Sequence, residues 1–414
     1  MKIAILSTYD NIGGAAKAAL RLHYGLKKQG VSSKMIVQEK VTNDPDVFGI
    51  TTPKNRFWNL MAKKINSLSL KVYPNRHKTI FSPSFFGGFS YENYRNQFDI
   101  FNIHWVGGGF LSTHTIKKIT EPIVLTLHDS WAFTGGCHIP HPCNKFFTKC
   151  NSCIKLNSTR PYDLSTLSWE MKYQAWQKEN IVLVGSSSWM VNNARNSSIF
   201  KNHRSEIIHP GLDLNVFKPL IKRDCREFLG IDLNTTLLLF GAVNAIEDEN
   251  KGFHLLVSAL KQLSQNTKLN KSKIKLVVFG ATAPYPDDLG IEVDYLGKII
   301  DEETLALLYS AADVTIVPSI VESFGQTASE SLACGTPVVA FRSSGLIDIV
   351  DHKINGFLAK PYDYKDLAYG IDWVIADSAR LLELSDKARK KALSNFGLDQ
   401  YVENYSRVYE SLVK

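Results

Sequence analysis

At 414 residues the chain exceeds what one hydrophobic core usually supports, so two domains are expected. Hydrophobic residues make up 44% and charged residues 21%, which excludes both a disordered chain and a membrane-spanning one. A net charge of +8 favours contact with phosphates, nucleic acid or an anionic membrane surface without choosing among them.

Residues 2–8 open the chain as a short apolar strand. The run Ile3-Ala4-Ile5-Leu6 is too short for a signal-peptide core, and no stretch approaches the roughly 20 apolar residues a spanning helix needs. A soluble, cytoplasmic protein in a reducing compartment is the expectation. Gly13-Gly14 then precede a helix over 15–29 and a strand over 34–38, a βαβ unit. That glycine loop lets backbone approach a ligand, although it lacks the three spaced glycines of a dinucleotide fingerprint. Segment 54–78 holds seven Lys and Arg and no acid, interleaved with Phe57, Trp58, Leu60, Met61 and Ile65. It reads either as a basic amphipathic helix for anionic lipid or as an ordinary solvated face.

Further strands are predicted at 99–103, 123–128, 181–185 and 206–209. His128-Asp129 ends one of these apolar runs, so its side chains should emerge at a sheet edge, and His104-Trp105 is a second rim candidate. Just past the strand over 123–128 lie Cys137, Cys143, Cys150 and Cys153, an insert over 137–153. In a reducing cytosol a structural zinc site and reduced, unliganded thiols both stay open, with His138 and His141 as substitute ligands, whereas disulfides are disfavoured.

After the breakers of 209–219 the rhythm restarts, with strands at 237–241, 275–280, 293–296, 314–318 and 337–341 and helices at 252–265, 302–312 and 327–334. Two doubly wound α/β halves imply a cleft, with ligands beyond the carboxyl ends of the strands. In the second half Glu322-Ser323-Phe324-Gly325-Gln326-Thr327 runs from a strand into a helix that contains Glu330 and stops at Gly335. A helix start at that edge offers amide groups and a positive dipole end to a diphosphate. Lys251-Gly252, at another helix start, adds a phosphate-binding cation. Residues Tyr401, Val402, Tyr405, Val408, Tyr409 and Leu412 give a last helix one apolar face.

The paired glutamates, the glycine between them and the following Ala-Cys-Gly-Thr-Pro-Val-Val resemble the signature of glycosyltransferase family 4. The resemblance extends over nearly the whole chain and implies a GT-B fold of two Rossmann-like domains. The expected domains are 1–213 on the acceptor side, 214–396 on the nucleotide-sugar side, and a helix over 397–414 returning to the junction. The resemblance also implies that Glu322 contacts hydroxyls of the transferred sugar and Glu330 the ribose. Phe324, Gly325, Gln326, Thr327, Lys251, Gly13 and Gly14 would bind the donor, and His128 the sugar or acceptor region. One departure stands out: Gly241 is followed by Ala242 where the family has Arg, leaving Lys251 to neutralise the diphosphate.

By resemblance the chain is a retaining hexosyltransferase of surface polysaccharide assembly. It would use a UDP- or GDP-linked sugar and a glycan or lipid-linked glycan acceptor, with peripheral contact to an anionic membrane and no nucleic-acid partner. No Asp-x-Asp pair is present, and Asp287-Asp288 imitates one only superficially, so no catalytic metal or other cofactor is expected. The rivals are a sugar-nucleotide epimerase on the same fold and a zinc-bearing nucleic-acid-binding protein.

Overall fold

The computed structural model describes residues 1–50, 53–264, 273–281, 285 and 288–413, with side chains in the segment after 53 described from Phe57 onward. The side chains of Lys54 and Arg56 in the basic segment, residue 265 at the end of one expected helix, and Asp287 fall outside this description. The chain forms two compact units, Met1–His209 with Tyr401–Lys414, and Pro210–Gln400.

The first unit is a seven-stranded parallel sheet: β1 Lys2–Tyr9, β2 Ser32–Glu39, β3 Val47–Gly49, β4 Ile100–Ile103, β5 Ile123–Leu127, β6 Ile181–Gly185 and β7 Arg204–Ile207. Their order is β3-β2-β1-β4-β5-β6-β7. Strands covered on both faces need no polar alternation, and Ile3 to Leu6 and the whole of β5 are accordingly buried. The second unit is a six-stranded parallel sheet of β8 Thr236–Gly241, β9 Ile274–Phe279, β10 Glu292–Tyr295, β11 Val314–Val317, β12 Val338–Phe341 and β13 Gly356–Ala359. The order is β10-β9-β8-β11-β12-β13. In each sheet the strand order reverses beside the first strand of the unit, the doubly wound arrangement anticipated from the sequence.

Two strands and several helices are not delimited by pattern. Strands β3 and β13, of three and four residues, are too short for a periodicity to register. The helix Leu164–Trp176 turns Ser165, Thr166, Ser168 and Lys172 inward, so its buried face does not look apolar. Its start is fixed instead by Asp163, whose carboxylate accepts from the amides of Ser165 and Thr166. The basic segment forms the helix Pro53–Ser69 followed by a 3-10 turn, Leu70–Val72, with Phe57, Trp58, Leu60 and Leu68 exposed.

The last helix, Leu398–Val413, enters the first unit at Tyr401. It buries Tyr401, Val402, Tyr405, Val408 and Tyr409, whereas Leu412 stays partly exposed. Its hydroxyls close a polar chain in an otherwise apolar layer. Tyr405 donates to Thr126 Oγ1 at 2.9 Å, Thr126 donates to Asn102 Oδ1 at 3.0 Å, and Asn102 Nδ2 donates to Tyr409 Oη at 2.6 Å. Each buried polar group thereby finds a partner, which removes the penalty of burying it unpaired.

Candidate functional site

In the second unit the loop after β11 and the turn before the helix Phe253–Ser264 are laced together by Asn250. Its amide donates to Val321 O at 2.8 Å, its Oδ1 accepts from Val321 N at 3.2 Å, and its own carbonyl accepts from Ile320 N at 2.8 Å. Gly252 completes the turn at φ 71°, where a Cβ would stand 1.9 Å from Pro318 O, so no larger residue fits. This stitching carries Lys251 to Glu322: Nζ lies 2.6 Å from Oε1. Burial disfavours the Lys251 ammonium, but the Glu322 carboxylate outweighs that cost and holds the lysine above its usual pKa. Ser319 Oγ donates to the same carboxylate oxygen at 3.0 Å.

Three residues beyond Glu322, Gly325 sits at φ 113° and begins the helix Gln326–Ala333. A side chain there would meet Leu346 at 2.8 Å, on top of the backbone strain. Gln326 and Thr327 form the half-buried first turn, where amides lack intrahelical acceptors. The ring of Phe324 packs edge-on against Phe396, so its side chain serves the core and only its backbone faces the loop. One and a half turns into the helix, Glu330 is 5% exposed and accepts from Tyr309 Oη at 3.1 Å. Tyr309 is itself fully buried, its backbone carbonyl receiving the Thr336 hydroxyl at 2.6 Å.

In the first unit Gly13 is the N-cap of the helix Gly14–Lys28, at φ 84°, and nothing lies within 4 Å of the Cβ position it lacks. His128 follows β5, and its Nε2 lies 2.8 Å from Nδ1 of His104, which follows β4. The adjacent Asp129 is not the partner of His128. Its carboxylate accepts from Trp131 N at 2.8 Å, Trp105 Nε1 at 2.9 Å and His138 Nδ1 at 2.6 Å. Burial pushes this carboxyl up, but His138 and the Trp131 amide more than reverse the effect and hold it below its usual range. His138 in turn reaches Ser82 Oγ through Nε2 at 2.9 Å, tying the cysteine-rich insert to the end of β5.

The four cysteines line one void of about 20 Å³ and are free thiols. Burial raises the thiols of Cys137, Cys150 and Cys153, that of Cys137 to about 12. Among the described residues no three His, Cys, Asp or Glu side chains form a group able to hold a metal ion. Beside Cys137 and Cys150 lies Lys172, fully buried and lowered to about 7 by that burial, its ammonium bonded to the carbonyls of Trp131 at 2.5 Å and Thr134 at 3.1 Å. It also stacks 4.1 Å from the Trp131 ring centroid.

Within each unit, then, the named residues fall into clusters: Lys251, Glu322, Gln326 and Thr327 with Glu330 in the second, and His104, His128 and Asp129 in the first. Asn250, Ser319, Tyr309 and His138 complete these clusters without having been singled out for such roles. Asn250 adjoins Lys251 in the sequence and was the one within reach of a motif reading.

Residues 226–392 match the family model for glycosyl transferases group 1. The D-inositol 3-phosphate glycosyltransferase of Xylanimonas cellulosilytica is 33% identical over 229 residues, which is 51% of this chain and 52% of that protein. A protein of the same description from Thermobispora bispora is 33% identical over 217 residues, 50% of each chain. The chain spans about half the length of the curated relatives it matches. Among solved structures, sucrose-phosphate synthase from Thermosynechococcus elongatus superposes with a TM-score of 0.70 at 20% identity, covering 99% of this chain and 98% of the other. Anabaena HepE in complex with UDP-glucose gives 0.64 at 17%, covering 99% and 100%. At such identities the likeness shows the fold, and the chain has the GT-B fold of two Rossmann-like units, of which the second matches the glycosyl transferases group 1 model.

Proposed function

We propose that the protein is a retaining glycosyltransferase of the family 4 type that takes a hexose-type sugar from a nucleotide diphosphate donor. The observation that carries this reading is the cluster in the second unit. A half-buried lysine, a glutamate and a helix start stand together, with a second, buried glutamate farther along the same helix. The lysine and the helix amides suit a diphosphate. Glu322 suits sugar hydroxyls, and Glu330, held by Tyr309, suits the ribose. Gly13 and Gly14 offer backbone to the donor, and His128 offers a ring nitrogen to the sugar substrate.

No side chain of the second-unit cluster is set up as a free nucleophile, since the Glu322 carboxylate is engaged by Lys251 and Ser319. Retention is the outcome that the family resemblance implies, so without such a nucleophile the acceptor hydroxyl attacks from the face the diphosphate leaves, and a leaving-group phosphate oxygen takes the proton. Catalysis rests on positioning and on stabilising the departing charge, with Lys251 and the helix start neutralising that charge in place of a metal. UDP is the first nucleotide to try, because HepE was solved with UDP and with UDP-glucose. A glycan or lipid-linked glycan of surface polysaccharide assembly is the proposed acceptor, and the names of the curated relatives make a phosphorylated inositol the second to try. The basic helix Pro53–Ser69, with Phe57, Trp58 and Leu60 exposed, supports peripheral contact with the cytoplasmic leaflet. No described helix is long and apolar enough to cross a membrane.

Calorimetric titration of UDP, GDP and ADP with EDTA present tests the donor site. One nucleotide should bind selectively and Glu330→Ala should abolish most of that heat, while binding of none refutes the reading. Proton NMR of the product should show the donor's anomeric configuration, and an inverted product would refute same-face attack.

A further inference from the structure

His104 and His128 present a proton-counting problem. Their facing nitrogens, His104 Nδ1 and His128 Nε2, lie 2.8 Å apart, so one proton, and only one, sits between them. Two neutral arrangements satisfy this. In the first, His104 carries its proton on Nδ1 and donates it, which leaves His128 protonated on Nδ1. In the second, His128 donates from Nε2, which forces the His104 proton onto its own Nε2.

The surroundings separate the two. His104 is 3% exposed, and its Nε2 is buried without a hydrogen-bond partner. The second arrangement would bury an N–H with no acceptor, the rarer and costlier kind of orphan, whereas the first leaves only an unused lone pair. The aspartate next in sequence does not intervene, because its oxygens are taken by Trp105, Trp131 and His138. Burial pushes both histidines down, His128 to about 4, so the pair is neutral near neutral pH.

We propose that His104 is a positioning residue that locks His128 into the neutral form protonated on Nδ1, making His128 a hydrogen-bond donor toward a substrate oxygen and not a base. The catalytic consequence rests on the glycosyltransferase reading; the tautomer does not. A donor suits a sugar hydroxyl oxygen or charge developing on one, and fits a mechanism in which the leaving diphosphate takes the proton.

Two isosteric replacements separate a tautomer lock from a packing role. His104→Asn keeps an N–H donor near the position of Nδ1, whereas His104→Asp presents only an acceptor there and draws the His128 proton to Nε2. Long-range proton–nitrogen NMR on histidine-labelled protein, with His128 assigned by its loss in His128→Asn, reads the tautomer directly. The wild type and His104→Asn should show His128 protonated at Nδ1 and bare at Nε2, and His104→Asp the reverse. In steady-state transfer assays His104→Asn should stay within about threefold of wild-type kcat while His104→Asp falls more than about tenfold, with KM for the nucleotide sugar little changed in either. Protonation of wild-type His128 at Nε2, or equal kcat in the two variants, overturns the proposal. If His104→Asp does not fold, the wild-type and His104→Asn spectra still decide the tautomer. A wild type that transfers no sugar overturns the functional reading and leaves the spectroscopic result standing.

Discussion

Lys251 and Glu322, 71 residues apart in the sequence, are bonded to each other at 2.6 Å. Their proposed ligands are different parts of one donor, the diphosphate and the sugar, so donor binding must exchange this ion pair for two new contacts. The two partners should therefore respond in opposite senses. Lys251→Ala should weaken UDP binding about tenfold, the scale of one charge-assisted phosphate contact. Glu322→Gln frees the lysine and should leave UDP affinity unchanged or tighter while lowering kcat about 100-fold. Calorimetry together with steady-state kinetics checks both, and parallel losses of UDP affinity in the two variants would contradict the exchange.

Glu330 is steadied by a phenol from a different helix, Glu302–Ala311. Tyr309→Phe removes this donor without opening a cavity, so UDP affinity should fall about three- to tenfold with the fold intact, corresponding to roughly 0.7–1.4 kcal/mol. The same titration measures it, and circular dichroism confirms the fold.

Acid should destabilise the first unit through His23. This ring is fully buried, bonded through Nδ1 to Ser33 Oγ at 2.9 Å, with Nε2 unpartnered. Burial pushes it down to about 4, against an unfolded value near 6.5. Between those values the unfolded chain holds the proton that the folded one refuses. Stability therefore falls as pH drops through this window, by about 1.4 kcal/mol per unit and on the order of 3 kcal/mol in all, and His23 contributes no slope above about pH 6.5. Six of the seven tryptophans lie in the first unit, so urea unfolding followed by tryptophan fluorescence at about pH 5 and pH 7.5 reports on it. His23→Leu should reduce the difference by about its own share, leaving the part that His104 and His128, also held low by burial, contribute in the same window.

Of the four clustered thiols Cys143 alone is partly exposed. At about pH 8 a disulfide reagent should modify Cys143 first and reach Cys137, Cys150 and Cys153 only on unfolding. Elemental analysis of the same sample completes the test, because a bound zinc ion would protect Cys143 as well.

The strands were legible because parallel strands covered on both faces are apolar runs, and β1, β5, β6 and β8 all are. The helix that bears Glu330 was legible because Glu322, Gly325 and Gly335 punctuate it at fixed offsets. What escaped is what depends on packing between elements. Tyr309 looks like any residue on the inner face of its helix, and nothing local tells that its hydroxyl ends at Glu330. The sequence pairs His128 with Asp129 as neighbours, yet they follow a strand end where the chain turns, so the carboxylate goes to His138 and the imidazole to His104. The polar inner face of the helix Leu164–Trp176 hid that element altogether, since Lys172 is buried by carbonyls and a ring that no periodicity announces.

The three tyrosines of the last helix have a consequence for how the protein is made. The second unit is encoded without interruption and can fold while the ribosome is still translating residues beyond it. The first unit begins earlier but cannot be finished until residue 409 has left the exit tunnel, because until then Asn102 and Thr126 face an uncovered apolar layer. The nascent first unit thus keeps that patch open for the whole time its neighbour is being synthesised, and premature termination between residues 209 and 401 leaves a seven-stranded sheet without its covering helix. Translation to the final helix becomes the maturation step of the unit that was begun first.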